Sequence, residues 1–181
     1  MSTTGREAAR PLVRNRGDGS DEVCRVVFLP GAHAPQVWRA VTTAAGINVE
    51  LRPLLKMTVP RGLPAKLDLN DVPLCKAIGR SWILLGGLVP IDFDDVMLVE
   101  REPGRRFLER SATSTARVWQ HERIVEVHDG GVLLTDRLIF RVRAHMALTR
   151  PVYRHIIAAL FRYRHANLRR IFAPSVTSTR P

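Results

Sequence analysis

From Arg106 onward apolar and polar residues alternate at a period of two, and the alternation is broken at Asp129-Gly130-Gly131. This predicts a long antiparallel hairpin, Thr115 to Val127 and Val132 to Arg143, because Asp-Gly supplies the backbone torsions of a tight turn. A turn at Asp129-Gly130 sets Val125 opposite Leu134, Arg123 opposite Asp136, His121 opposite Leu138 and Trp119 opposite Phe140. A turn one residue later leaves Arg123 and Asp136 as diagonal neighbours on the same face. Upstream, Gly86-Gly87 and Pro103-Gly104 separate further strands at Arg80 to Leu85, Asp95 to Arg101 and Arg106 to Thr113. An apolar run at Glu22 to Leu29 predicts a first strand, stopped by Pro30-Gly31. Pro35 to Thr43 predicts a short helix ended near Gly46, and prolines between Asn48 and Asp71 predict loops with short helical turns.

The last long element is a helix from Arg150 to Phe172. Projected at 100° per residue, Arg154, His155, Arg162, His165 and Arg169 form one arc, and Val152, Tyr153, Ile156, Ile157, Leu160, Tyr163 and Ile171 the other. The apolar arc is expected on the concave face of the sheet. Arg164 falls among apolar positions, so its stem either covers apolar surface or its guanidinium reaches a buried carboxylate or a ligand. Residues 1–20 and 173–181 lack apolar periodicity and are expected to be disordered tails around one domain, 21–172.

The hairpin carries the candidate chemistry. Trp119, His121, Arg123, Val125 and Val127 share one face, which a purely packing surface would fill with apolar groups alone. Arg123, Asp136 and His121 are therefore candidates to line a cavity and orient a polar ligand group, with Trp119 and Phe140 against its apolar body. The competing reading is an internal ion pair that neutralises itself, with His121 bonded to backbone. His121 with Asp136 would suit proton transfer if a substrate lay between sheet and helix, and Glu109 is placed equally well facing in or out.

Composition narrows the classes. The 181 residues, 45% of them hydrophobic, suit one globular domain. The net charge of +11 is concentrated at the C-terminal end, since no Asp or Glu follows Asp136. That asymmetry suits nucleic acid, an anionic membrane surface or an acidic ligand, and also an Arg-biased genome, because lysine occurs only at Lys56, Lys66 and Lys76. Few aromatics accompany the basic arc and no zinc-finger or RNA-recognition signature is present, so no specific nucleic-acid partner is expected. Cys24 and Cys75 lack metal or disulfide spacing, and neither metal nor cofactor is called for. No GxGxxG, P-loop, GxSxG or HExxH pattern occurs. With no transmembrane-length run and a charged N-terminus, a cytoplasmic location is expected, and the oligomeric state is left open.

The run Trp119-Gln120-His121-Glu122-Arg123, Asp136 in the next strand, and Leu160-Phe161-Arg162-Tyr163-Arg164-His165 resemble bacterial members of the START/SRPBCC superfamily related to polyketide cyclases and ligand-binding domains. Gly79-Arg80-Ser81-Trp82 and Phe107-Leu108-Glu109 fit the same pattern, and the likeness spans Glu22 to Phe172. The resemblance implies an α+β helix-grip fold, a curved antiparallel sheet wrapped around a long C-terminal helix, with an apolar cavity beneath that helix. It implies a hydrophobic, lipid- or polyketide-like small molecule as partner. The ligand-binding residues expected are Trp119, His121, Arg123, Asp136, Phe140, Leu160 and Arg164; no catalytic residue is assigned. A non-catalytic binder is favoured, with a cyclase- or dehydratase-like enzyme, or a regulatory module with a basic surface for an anionic partner, as alternatives.

Overall fold

A computed structural model describes residues 12–173. Its elements run β1 (Leu12–Asn15), β2 (Asp21–Pro30), α1 (Ala34–Thr42), α2 (Ala44–Leu51), β3 (Leu55–Met57), β4 (Ala77–Leu85), β5 (Val89–Glu102), β6 (Arg106–Thr113), β7 (Ala116–His128), β8 (Gly131–Val142), a 3₁₀ turn (Ala144–Thr149) and α3 (Arg150–Ile171). The strands form one antiparallel sheet in the order β1-β2-β8-β7-β6-β5-β4-β3. This is the α+β helix-grip fold. Of the tails expected at 1–20 and 173–181, residues 1–11 and 174–181 lie outside the described residues, whereas Leu12–Asn15 pairs with β2.

The β7–β8 register follows the turn at Asp129-Gly130: Val125 faces Leu134, Arg123 faces Asp136, His121 faces Leu138 and Trp119 faces Phe140. Along β8, Val132, Leu134, Asp136, Leu138 and Phe140 are all buried, so the period-two pattern puts a carboxylate in the middle of an apolar face. Val127, expected on the buried face, is exposed at the hairpin end.

Elements α2 and β5 depart from expectation. The chain does not turn to loop at Gly46; it starts a second helix at Ala44, capped by the Thr43 hydroxyl, which accepts from the Gly46 N–H at 3.2 Å. Gly46 is needed for contact rather than for flexibility, because a Cβ there would stand 2.0 Å from the Ala40 carbonyl oxygen of α1. Strand β5 also begins earlier than Asp95. Asp92 and Asp94 hide it from a hydrophobicity count, yet they share the inward face with Val96 and Leu98.

Helix α3 rests chiefly on β2 and α2, not on β3–β6. Its rotation differs from the apolar arc: Ile157, Ala158, Phe161, Arg164, His165, Asn167 and Leu168 are buried, while Val152 and Ile156 are exposed. His165 thus leaves the expected basic face. Arg150 ties the first turn to β2 by donating from Nε to Asp21 Oδ2 at 2.7 Å.

Replacing Gly46 by Ala is expected to cost about 1–3 kcal/mol or more, because a backbone carbonyl must move. The urea midpoint of the variant checks this, and an unchanged midpoint would show that α1 and α2 separate freely.

Candidate functional site

Two apolar clusters fill the core. One holds Val27, Leu29, Val125, Leu134 and Leu168; the other holds Val23, Leu138, Phe140, Ile157 and Phe161. Between them, on the same strands and helix, lies a layer of charge built from Glu50 of α2, His121 and Arg123 of β7, Asp136 of β8, and Arg164 and His165 of α3. Arg123 grips Asp136 with two parallel bonds, Nε to Oδ1 at 2.7 Å and Nη2 to Oδ2 at 2.9 Å, and turns Nη1 to Glu50 at 2.9 Å. Arg164 donates from Nε to Glu50 Oε2 at 3.0 Å. His121 and His165 each place Nε2 2.7 Å from a different oxygen of Asp136. Glu50, Arg123 and Asp136 are each 0% exposed.

Such groups survive enclosure only through one another. Burial alone would push the Arg123 guanidinium down, and the Asp136 and Glu50 charges more than reverse it, so its pKa is raised. Burial alone would likewise push the Asp136 carboxyl up; the Arg123 charge and the two histidine hydrogen bonds hold it well below the usual carboxylate range. Asn167 completes the join by donating to the Glu50 and Arg52 carbonyls at 2.8 and 3.0 Å.

Where α3 stands away from β3–β6 a cavity of about 710 Å³ opens, within the range that holds a drug-sized molecule. Its walls are mainly apolar, among them Leu55, Ile83, Val96, Phe107, Trp119 and Leu160. Leu54, Leu85, Ile91 and Ile156 both line it and are solvent-exposed, which marks the mouth. Among the described residues no helix is long and apolar enough to cross a membrane, and no group of three or more His, Cys, Asp or Glu side chains could hold a metal ion.

The wall also carries a group of acids on β5 and β6. Asp92, Asp94 and Glu109 line it, with His121 and Tyr153 nearby. Asp92 is well supplied: its Oδ1 accepts from the Phe93 and Ser114 N–H groups at 2.8 and 2.9 Å, and its Oδ2 from the Thr115 hydroxyl at 2.8 Å. Glu109 Oε1 accepts from the Ser111 hydroxyl, and its Oε2 stands 3.9 Å from His121 Nδ1. Asp94 is 6% exposed and its Oδ1 has no hydrogen-bond partner. Burial, then the charge of Glu109, pushes the Asp94 carboxyl well above its ordinary range. Burial also pushes the Tyr153 hydroxyl up.

Of the residues expected to touch a ligand, Trp119, His121, Leu160 and Arg164 line the cavity. Arg123, Asp136 and Phe140 do not: the first two are sealed in the polar layer, and Phe140 lies behind Trp119, stacked at 6.1 Å between ring centroids. Arg164 reaches a buried carboxylate, the less common of the two behaviours open to it. Glu50, Asp92 and Asp94 were not foreseen. The two aspartates were accessible to sequence reasoning, since they continue the period-two inward face of β5. Glu50 carried a weaker sign, a lone carboxylate between Val49 and Leu51.

The family model "Domain of unknown function (DUF8410)" matches residues 31–172, most of the chain. The chain belongs to the DUF8410 family. No curated protein matches it. Among solved structures, the DUF8410 chain is similar to protein CV1439 from Chromobacterium violaceum, at 14% identity and a TM-score of 0.62, over 86% of this chain and 99% of that one. It is similar to the Zhui aromatase/cyclase from Streptomyces sp. R1128, at 17% identity and TM-score 0.52, over 86% and 98% of the two chains. The di-domain ARO/CYC StfQ from the steffimycin biosynthetic pathway matches at 11% identity and TM-score 0.55, over 86% of this chain and 52% of StfQ. At these identities the likeness is one of fold.

Arg123→Ala would leave Glu50 and Asp136 enclosed with half their compensation gone, and is expected to cost about 3–5 kcal/mol in urea denaturation. A loss under 1 kcal/mol would mean that water reaches the layer. Acid should act through Asp136. Because its folded pKa is depressed, its stabilisation is complete above the unfolded value of about 3.9 and disappears as pH falls toward the folded value. The melting temperature should therefore drop below about pH 4, and Asp136→Asn, less stable at neutral pH, should show a shallower acid drop.

Proposed function

We propose that this DUF8410 protein binds a hydrophobic small molecule with a polar end, held between β3–β6 and α3. The observation that carries this reading is the cavity of about 710 Å³, apolar over most of its wall and open to solvent. An apolar space of that size, unfilled by the protein's own side chains, forfeits packing that a sheet-and-helix sandwich would otherwise make, so a ligand in it recovers contact and burial. Trp119, Leu160 and Phe107 would bear on the ligand's body, with the carboxyl groups and His121 toward its polar end. Arg123 and Asp136 support the site from behind by fixing His121, whose ring is also held edge-on by Phe107 and Phe161 at 5.6 and 5.2 Å between centroids.

A cyclase-like enzyme using the same cavity is the second reading. It is favoured by His121, placed between Asp136 and Glu109 on the wall, and by the aromatase/cyclase activity in the names of two structural neighbours. A cytoplasmic location belongs to the same proposal.

Native mass spectrometry of the protein purified from its own host is expected to show a retained small molecule. Ile83 lines the cavity from β4 without belonging to either core cluster. Ile83→Trp should therefore fold normally yet bind an apolar fluorescent probe at least about tenfold more weakly, since the bulky ring occupies the ligand's place. Equal binding by the two proteins would reject the cavity as the site. For the second reading, His121→Ala should abolish turnover while ligand affinity persists; affinity lost without any turnover in either protein favours the binder.

A further inference from the structure

We infer that the inner end of the cavity, where the side chains of Asp94 and Glu109 meet, takes the positively charged amine of an otherwise apolar ligand. This rests on the reading of the cavity as a ligand site and specifies what that site selects. The first observation is an imbalance of charge. Asp92 and Asp94 come from β5 and Glu109 from β6, all on the cavity wall, and no cation of the wall is turned toward them. Arg164 is committed to Glu50. His121 spends Nε2 on Asp136 and holds Nδ1 3.9 Å from Glu109, beyond hydrogen-bond reach.

The second observation is independent of the count of acids. Asp94 Oδ1 is a buried oxygen with no partner, on a residue 6% exposed that lines the cavity. Buried polar groups are normally satisfied, so an oxygen left without a donor on a residue of the cavity wall calls for one. Its neighbours in register are Ser81 of β4 and Thr113 of β6. The Thr113 hydroxyl already accepts from the Thr115 and Ala116 N–H groups, so its lone pairs are spent, and Ser81 is a small hydroxyl that can accept as well as donate. The acceptors this part of the wall offers are the carboxylate oxygens of Asp92, Asp94 and Glu109. An ammonium carries donors only, and its charge offsets the repulsion between two adjacent carboxylates.

Without a ligand the protein meets this repulsion by holding a proton. The groups facing Asp94 are Asp92 on its own strand, Glu109 from β6 and the Tyr153 hydroxyl from α3, none of them a cation; His121 of β7 lies beyond Glu109. The raised pKa of Asp94 is the expected consequence. An arriving ammonium ionises Asp94 and releases that proton, so affinity should rise with pH while an alkyl ammonium stays charged.

The test titrates the full-length protein with dodecylamine, dodecanol and dodecanoate, each below its aggregation concentration, by isothermal calorimetry in buffers of differing ionisation enthalpy. The amine should bind at least about tenfold more tightly than the alcohol and the carboxylate, with net proton release. Asp94→Asn and Glu109→Gln should each remove about tenfold of the amine affinity and lower that of the alcohol by less. Asp94→Asn should also raise the melting temperature at neutral pH. The sign follows because a carboxyl with a raised folded pKa destabilises the folded state at any pH above its unfolded value. Dodecanoate binding as tightly as the amine, equal binding of amine and alcohol, or no effect of Asp94→Asn would overturn the inference while leaving the cavity as a binding site. Failure of all three probes would overturn both.

Discussion

The enclosed ion layer is the constraint on which the rest of the molecule turns. Arg123 cannot be left in an apolar core alone, and neither can Asp136 or Glu50; each is tolerable only because the others are within hydrogen-bond distance. Their attachment points span the fold. Glu50 is the second-to-last residue of α2, Arg123 and Asp136 stand opposite each other in the central hairpin, and Arg164 and His165 belong to the C-terminal helix. Satisfying the layer therefore docks three elements at once, with a geometry that apolar packing alone would leave free to slide. The two apolar clusters on either side exclude water and raise the penalty for any mismatch.

What the layer fixes, the cavity uses. The rigid side of the domain is the part where β2, β8 and β7 meet α2 and α3; the open side is the outer stretch of sheet from β3 to β6. His121 and Arg164 belong to both. Each presents one edge to the cavity and spends its hydrogen bonds on the layer, so the cavity wall has defined polar positions without free ion-pairing groups there. The acidic residues on β5 and β6 are the contrasting case, since their partners are hydroxyls, N–H groups and each other.

The hairpin was legible because its signals agree: alternation, Asp-Gly turn chemistry and the Arg123–Asp136 pairing all demand one register. The bounds of α1 and α3 were legible to within a residue, whereas α2 was not. What escaped was whatever depended on partners distant in sequence. Asp92 and Asp94 look like strand breakers until the sheet places them on an inner wall, and Glu50 looks like a helix-surface residue until Arg123 arrives 73 positions later. The short strand Leu12–Asn15 had no periodic signal of its own, and it is placed by pairing with β2.

The rotation of α3 shows how far a few charges can override hydrophobic patterning. Had the helix seated its most apolar arc, Val152 and Ile156 would be buried, and His165 would face water. Instead Asp136 draws His165 inward, Arg164 reaches Glu50, and the helix turns to bring Phe161 and Leu168 into the two apolar clusters. Ile156 then emerges at the mouth of the cavity, and Leu160 faces its interior. The exposed apolar stripe and the open space beneath the helix are thus two results of one electrostatic demand. A core that replaced the layer with leucines would remove the charges that set this rotation, and the helix would be free to turn its apolar arc inward and close the space.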